Sequence, residues 1–332
     1  MMRAVLMHQS GAPDALLYSN EVEPPRIHSE HQVLIRLKAA GVNPIDTKLR
    51  SRGTYYPEQM PAILGCDGAG VVEEIGEAVT RFRPGDEVYF CHGGIGGDQG
   101  NYAELNVVDE RFVAAKPRSV DFITAAAAPL VLITAWEALH DRARIEAGQK
   151  VLVHAGAGGV GHVAIQLAKA AGCQVITTVS SKAKAAFARQ LGADEVILYP
   201  EADFAEAASS WSGAEGVDVV LDTVGGRVFE QSFAATRPYG HIVSLLQPGE
   251  VDWKVARLRN LTTSLELMLS PMYYGWSAAQ EHQAWILEQC AAIIDEGKLQ
   301  LAVSHTLPLE EAASAHELLE SGGMQGKIVL AI

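Results

Sequence analysis

Residues 151–172 read VLVHAGAGGVGHVAIQLAKAAG: an apolar strand, a glycine-rich turn, then a helical pattern. Gly156, Gly158 and Gly161 give the spacing GxGxxG directly after the strand, with Gly159 and Val160 inside the motif. Val160, Val163, Ala164, Leu167, Ala168 and Ala171 then recur on one face of a helix that opens at the loop. Alone the glycine spacing says little, but strand, loop and helix together predict a dinucleotide site. Gly156 is expected to permit a tight turn, Gly158 to let the backbone approach a pyrophosphate, and Gly161 to allow close helix–sheet packing. Free N–H groups of the first helical turn would face the anion.

The second strand of such a unit chooses between cofactors, because an acid about 20 residues past the glycines accepts hydrogen bonds from an NAD ribose. Here the segment reads QVITTVSSKAKAAFARQLGADE, and the first acid after Gly156 is Asp194. Ser180, Ser181, Lys182, Lys184 and Arg189 crowd the strand end instead and offer hydroxyl and cationic partners to a 2′-phosphate. The expected cofactor is NADPH.

Around this unit the strands VLVHA, VITTV, VDVVLDT and HIVSLL alternate with helix-like segments, the order of a doubly wound parallel sheet. Upstream the texture differs. Val33, Ile35 and Leu37 alternate with Leu34, Arg36 and Lys38, and Val88-Tyr89-Phe90 follows the turn Pro84-Gly85-Asp86, so the first third reads as a β-rich region. A boundary is expected near Lys116-Pro117-Arg118-Ser119. The tail is mixed, with helices expected around Trp285 to Glu296 and Leu309 to Glu320 and a closing strand, KIVLAI.

The whole chain of 332 residues is long enough for two domains and carries a globular balance of 48% apolar and 20% charged residues. Its net charge of −14 would repel both a nucleic-acid backbone and an anionic lipid surface. The uncharged run from Phe122 to Trp136 is too short for a membrane span and contains Pro129, and MMRAVLMHQSG lacks the pattern of a signal peptide, so a cytoplasmic location is expected. The four cysteines, at 66, 91, 173 and 290, form no CxxC and suggest free thiols. His154 and His162 flank the glycine loop and are expected to be satisfied by local hydrogen bonds.

The motif order AAGVNPID, PAILGCDGAGVVEEIG, PGDEV, PLVLITAWEAL, VLVHAGAGGVG, VVLDTVGG and GKIVL resembles the medium-chain dehydrogenase/reductase superfamily, in its zinc-free quinone oxidoreductase (zeta-crystallin-like) branch, from end to end. The resemblance implies an α/β protein: a GroES-like β-rich catalytic domain, residues 1–122 and 269–332, interrupted by a Rossmann doubly wound parallel-sheet domain, residues 123–268. An active site in the cleft between them is implied, as is a homodimer formed through an edge of the Rossmann sheet, for which HIVSLL is the expected strand.

Zinc alcohol dehydrogenases of this superfamily place a Cys where this chain has Asn43, a His-Glu pair at Cys66-Asp67, and a third ligand near Leu130. Asn43 and Leu130 cannot complete a catalytic zinc set, and the adjoining Cys91-His92 pair does not repair it. Without a Lewis acid, the expected substrates are already electrophilic: quinones, or α,β-unsaturated carbonyls, where hydride addition leaves an enolate to be stabilised and protonated. By resemblance, Asn43 and Tyr55 line the pocket as donors, Thr134 lies beside the nicotinamide, Ser180 and Lys184 approach the 2′-phosphate, and Tyr199 lies by the adenosine end. Asn43 as a turn residue before Pro44 and Tyr55 as a packing aromatic are the plainer alternatives. Asp46 reads as a helix-start residue rather than a base. Pro200 departs from the charged residue the branch often carries there. An enoyl-thioester reductase, a zinc-type alcohol dehydrogenase and an NADPH-binding structural protein are the competing functions.

Overall fold

The computed structural model describes residues 1–332. The chain divides into two compact units, Met1–Leu130 with Leu269–Gly297 and Leu301–Ile332, and Val131–Met268 with Lys298–Gln300.

In the first unit β1 (Met2–Met7) and β2 (Leu16–Val22) form a hairpin, followed by β3 (Gln32–Val42) and α1 (Pro44–Arg52). Next come β4 (Asp67–Ile75), β5 (Glu87–Cys91), β6 (Leu105–Asp109), β7 (Ala114–Ala115) and α2 (Phe122–Ala126). The alternation in residues 33–38 holds in part: Val33, Ile35 and Leu37 are buried with Val72, Val88 and Phe90, and Arg36 and Lys38 are exposed, but Leu34 on their face is buried too. The alanine-rich α2 packs on β3 and β4 of this unit rather than on the parallel sheet that follows. Close approach explains the placement, since a Cβ on Gly41 would lie 2.4 Å from the Ala126 carbonyl oxygen.

The second unit begins within α3 (Pro129–Trp136) and continues through β8 (Lys150–Val153), α4 (Gly159–Ala170), β9 (Gln174–Val179) and α5 (Lys182–Gln190). It is completed by β10 (Glu195–Leu198), α6 (Phe204–Ser212), β11 (Val217–Asp222), α7 (Arg227–Ala235), β12 (Thr236–Ser244), α8 (Lys254–Leu258) and β13 (Thr262–Leu265). Its six strands are all parallel in the order β10-β9-β8-β11-β12-β13, which reverses between β8 and β11 and leaves a crevice at their carboxyl ends. Leu152, Ile176, Val220, Phe229, Phe233 and Ile242 fill the core between sheet and helices. HIVSLL is not the edge strand expected from the sequence. Its first four residues lie in β12, paired on both sides; the edges of the sheet are β10 and β13, the latter a short strand whose Thr and Ser residues hide it from an apolar-run reading.

The chain then returns to the first unit as α9 (Ser270–Tyr274), α10 (Ser277–Asp295), β14 (Val303–Pro308), α11 (Ala312–Ser321) and β15 (Lys327–Ala331). β15 inserts between β14 and β3, extending the sheet to the order β14-β15-β3-β4-β5-β7, with β6 paired to β3. No helix is long and apolar enough to cross a membrane.

Candidate active site

In the parallel-sheet unit, β8 ends at Val153 and α4 starts at Gly159, with Gly158 as its N-cap. The positive backbone angle of the turn falls on Ala155 (φ 50°), not on Gly156. Gly156 is required for a different reason: a Cβ there would lie 2.0 Å from Thr177 Oγ1 on β9. A Cβ on Gly161 would meet the Ala155 carbonyl oxygen at 2.2 Å, so helix and loop are in backbone contact. At Gly158 the nearest atom to such a Cβ is the Ala155 oxygen at 3.2 Å, and Gly158, Gly159 and Val160 are partly open. That open lip, with the first-turn N–H groups of α4 above it, is the cradle a pyrophosphate needs. The geometry fits a dinucleotide.

Beside the loop lies a cavity of about 370 Å³ whose walls include His154, Thr178, Tyr199, Phe204 and Val224. His154 shares hydrogen bonds with Thr178 Oγ1 (3.1 Å) and Ser232 Oγ (3.0 Å), and burial pushes its pKa down to about 4, so this histidine is uncharged at neutral pH. His162 bonds the Gly158 carbonyl oxygen through Nδ1 (3.0 Å). Tyr199 is 54% exposed and joins the cavity wall. Ser180 and Lys184 are not part of that wall; they follow β9, where Ser181 caps α5 by accepting from Lys184 N (3.3 Å). Asp203 also borders the cavity, with its carboxylate used in capping α6 through Ala205 N and Glu206 N. Thr134 is buried in α3. The first acid past the glycines, Asp194, is held by Lys169 Nζ at 2.8 Å and Val175 N at 2.6 Å.

The other unit contains a buried polar cluster. Asn43 ends the extension of β3 and is the N-cap of α1, while Asp46 at the third helical position accepts from Asn43 N at 2.8 Å, the helix-start role expected for it. Asn43 is 0% exposed. Its Nδ2 donates to Asp67 Oδ2 at 2.8 Å, and its Oδ1 accepts from Lys327 Nζ. Asp67 Oδ1 accepts from Leu130 N at 2.7 Å, and Lys327 Nζ also donates to the Val42 oxygen at 3.2 Å and lies 3.6 Å from Asp67 Oδ2. Burial raises the Asp67 pKa, an effect that Lys327 and the bonds from Asn43 and Leu130 oppose. Tyr102 Oη donates to Asp46 Oδ2 at 3.0 Å and pairs with His316 Nε2 at 3.1 Å.

The donor set does not form a zinc cage. Cys66 and Cys91 are buried free thiols that hydrogen-bond each other; that bond and then burial raise the Cys91 pKa well above its ordinary value, while at Cys66 the bond lowers the pKa and burial, with the nearby carboxylates, outweighs it. His92 lies 3.3 Å from Asp98 and stacks on Phe112. No three His, Cys, Asp or Glu side chains converge as metal ligands. The cation beside Asp67 is the ammonium of Lys327.

Tyr55 stands apart from this cluster in the hydrogen-bond network. It is 41% exposed and tilted against Tyr273 (5.2 Å between ring centres), while Tyr56 Oη donates to the Tyr273 oxygen at 3.0 Å. Partial burial raises the Tyr55 pKa, so its phenol keeps its proton at neutral pH. The sequence reading missed Lys327, Tyr102, His316 and Tyr273. Only Lys327 carried a local signal, as the single charge at the head of the apolar KIVLAI run.

Residues 29–118 match the alcohol dehydrogenase GroES-like domain, and residues 191–330 match a zinc-binding dehydrogenase domain. The chain is 33% identical over 334 residues to a quinone oxidoreductase of Rattus norvegicus, covering 99% of this chain and 98% of the relative. It is likewise 33% identical over 347 residues to a 2-haloacrylate reductase of a Burkholderia species, covering 99% of each. Among solved structures, the Escherichia coli quinone oxidoreductase complexed with NADPH superposes with a TM-score of 0.86 at 30% identity, covering 99% of this chain and 100% of that one.

Proposed function

Because the chain belongs to the quinone oxidoreductase branch of the medium-chain dehydrogenase/reductase superfamily and is thus an oxidoreductase with a nicotinamide cofactor, we propose that it uses NADPH to reduce quinones or α,β-unsaturated carbonyls without catalytic zinc. One observation carries the reading: where a metal dehydrogenase needs three ligands, this chain has an amide, a carboxylate and an ammonium tied to one another. A divalent ion there would meet the positive charge of Lys327. The relative named for 2-haloacrylate reduction acts, by that name, on an activated alkene, which supports the same substrate class.

The bound cofactor supplies the hydride. The open lip at Gly158, Gly159 and Val160 holds the pyrophosphate, Gly156 and Gly161 keep the loop tight against strand and helix, and Thr134 contacts the nicotinamide. Tyr199 borders the adenosine end. Ser180 and Lys184 take the 2′-phosphate, and the nearest acid in sequence, Asp194, is neutralised by Lys169. Tyr55 donates to the substrate oxygen as it gains charge, the second hydrogen of Asn43 Nδ2 joins it once substrate binding uncovers that buried amide, and water supplies the final proton. The molecule works as a homodimer.

The test is a fluorescence titration with NADPH and with NADH on protein whose zinc content is measured in the same sample. NADPH is expected to bind at least about tenfold more tightly, the worth of one charge-assisted bond to the 2′-phosphate. Lys184→Ala should erase most of that preference while leaving NADH binding unchanged. One equivalent of zinc per chain, or a preference for NADH, would overturn the proposal.

A further inference from the structure

Lys327 is 3% exposed, in the first position of β15. The antiparallel pairing of Ile328 with Val42 extends by one step to set Lys327 opposite Asn43. The strand register therefore delivers the ammonium to the amide, and three acceptors surround it: the Val42 oxygen, Asn43 Oδ1 and Asp67 Oδ2. The Asn43 amide is thereby oriented without ambiguity, its oxygen toward the ammonium and its nitrogen toward the carboxylate. A neutral amide held between a buried cation and a buried anion is polarised along that axis, which makes its N–H groups stronger donors. One hydrogen on Nδ2 is given to Asp67; the second is the one the proposed function assigns to the substrate.

We propose that Lys327 is a positioning residue that fixes and polarises Asn43, so that its positive charge acts through the amide on the oxygen that becomes anionic during reduction. The inference rests on the proposed function. In an enone the hydride adds to the β-carbon, the alkene pair shifts toward the carbonyl carbon, and the carbonyl π pair moves onto oxygen. Asn43 donates to that oxygen, a water proton then reaches the α-carbon, and Lys327 keeps its own proton throughout. The ammonium does by relay part of what a Lewis acid would do by contact.

The test compares wild type with Lys327→Met, with the paired variant Lys327→Met/Asp67→Asn, which removes both buried charges, and with Asn43→Ala. The probes are 2-cyclohexen-1-one and 1,4-benzoquinone, with NADPH affinity and thermal midpoint measured on each protein. If Lys327 acts as proposed, the paired variant folds with near-wild-type NADPH affinity and KM, yet its kcat for the enone falls by about tenfold or more. A paired variant that folds and keeps kcat within about twofold would make Lys327 an internal ion-pair partner only, and so would a loss matched by an equal loss of NADPH binding. If Asn43→Ala lowers kcat and the Lys327 variants do not, the inference fails alone. If Asn43→Ala has no effect, or wild type turns over neither probe, the reading of the site fails with it.

Discussion

Asp46 carries two accepted hydrogen bonds on Oδ2 and none on Oδ1, in a fully buried position. Burial is the largest influence on it and raises its pKa from 3.8 to about 7, against the opposing bonds from Asn43 and Tyr102. Between those values the folded protein holds a proton that the unfolded chain has released, so stability falls as pH rises through the window and the contribution is gone above about 7. Asp46→Asn does not titrate. The stability difference between wild type and Asp46→Asn should therefore shift by about 2–3 kcal/mol, in favour of the variant, between pH 5 and pH 8 in urea unfolding. A difference that stays flat would mean that Asp46 is ionised in the fold. Burial pushes His154 to about 4 and His316 to about 3, which acts in the opposite sense: their stability is lost as pH falls below about 6.5. Both histidines are present in the two proteins compared, so the difference isolates the carboxyl.

The glycine loop makes its prediction at the level of the strand–loop–helix element. Gly161→Ala would press a methyl group against the Ala155 carbonyl, and a cost of about 2 kcal/mol or more in unfolding free energy is expected, with NADPH binding lost alongside. Gly158→Ala meets nothing closer than 3.2 Å and adopts an ordinary extended angle (φ −81°), so it should cost about 1 kcal/mol at most. Its methyl group would nonetheless stand in the open lip, and NADPH affinity should fall by about tenfold or more. Wild-type affinity in Gly158→Ala would remove this loop from the path of the pyrophosphate. The GxGxxG spacing was legible at a glance, but the reason for each glycine was not. Thr177 and Ala155 set the close contacts, and the left-handed residue is an alanine, so the need at Gly156 comes from a neighbouring strand rather than from the turn itself.

For the whole molecule, the proposed dimer places demands on one of the two open edges of the parallel sheet, that of β13. β13 has no outer partner, and Leu265 and Leu267 at its end are 58% and 55% exposed. An edge of this kind invites pairing with a second copy. Sedimentation at micromolar concentration should show a dimer, and Leu265→Lys should give a monomer with an unchanged circular dichroism spectrum. A wild-type monomer would refute the arrangement. By itself the sequence determined what depends on neighbours along the chain: the strand, loop and helix of residues 151–172 and the absence of an acid directly after the second strand. Motif order carried the two-unit architecture. Only the tertiary structure decided that Lys327 faces Asn43 across 284 residues of chain, that Tyr273 covers Tyr55, and that Asp46 shares its proton environment with Tyr102. Those contacts arise from the pairing of β15 with β3 and from desolvation summed over distant neighbours, quantities that no local pattern encodes.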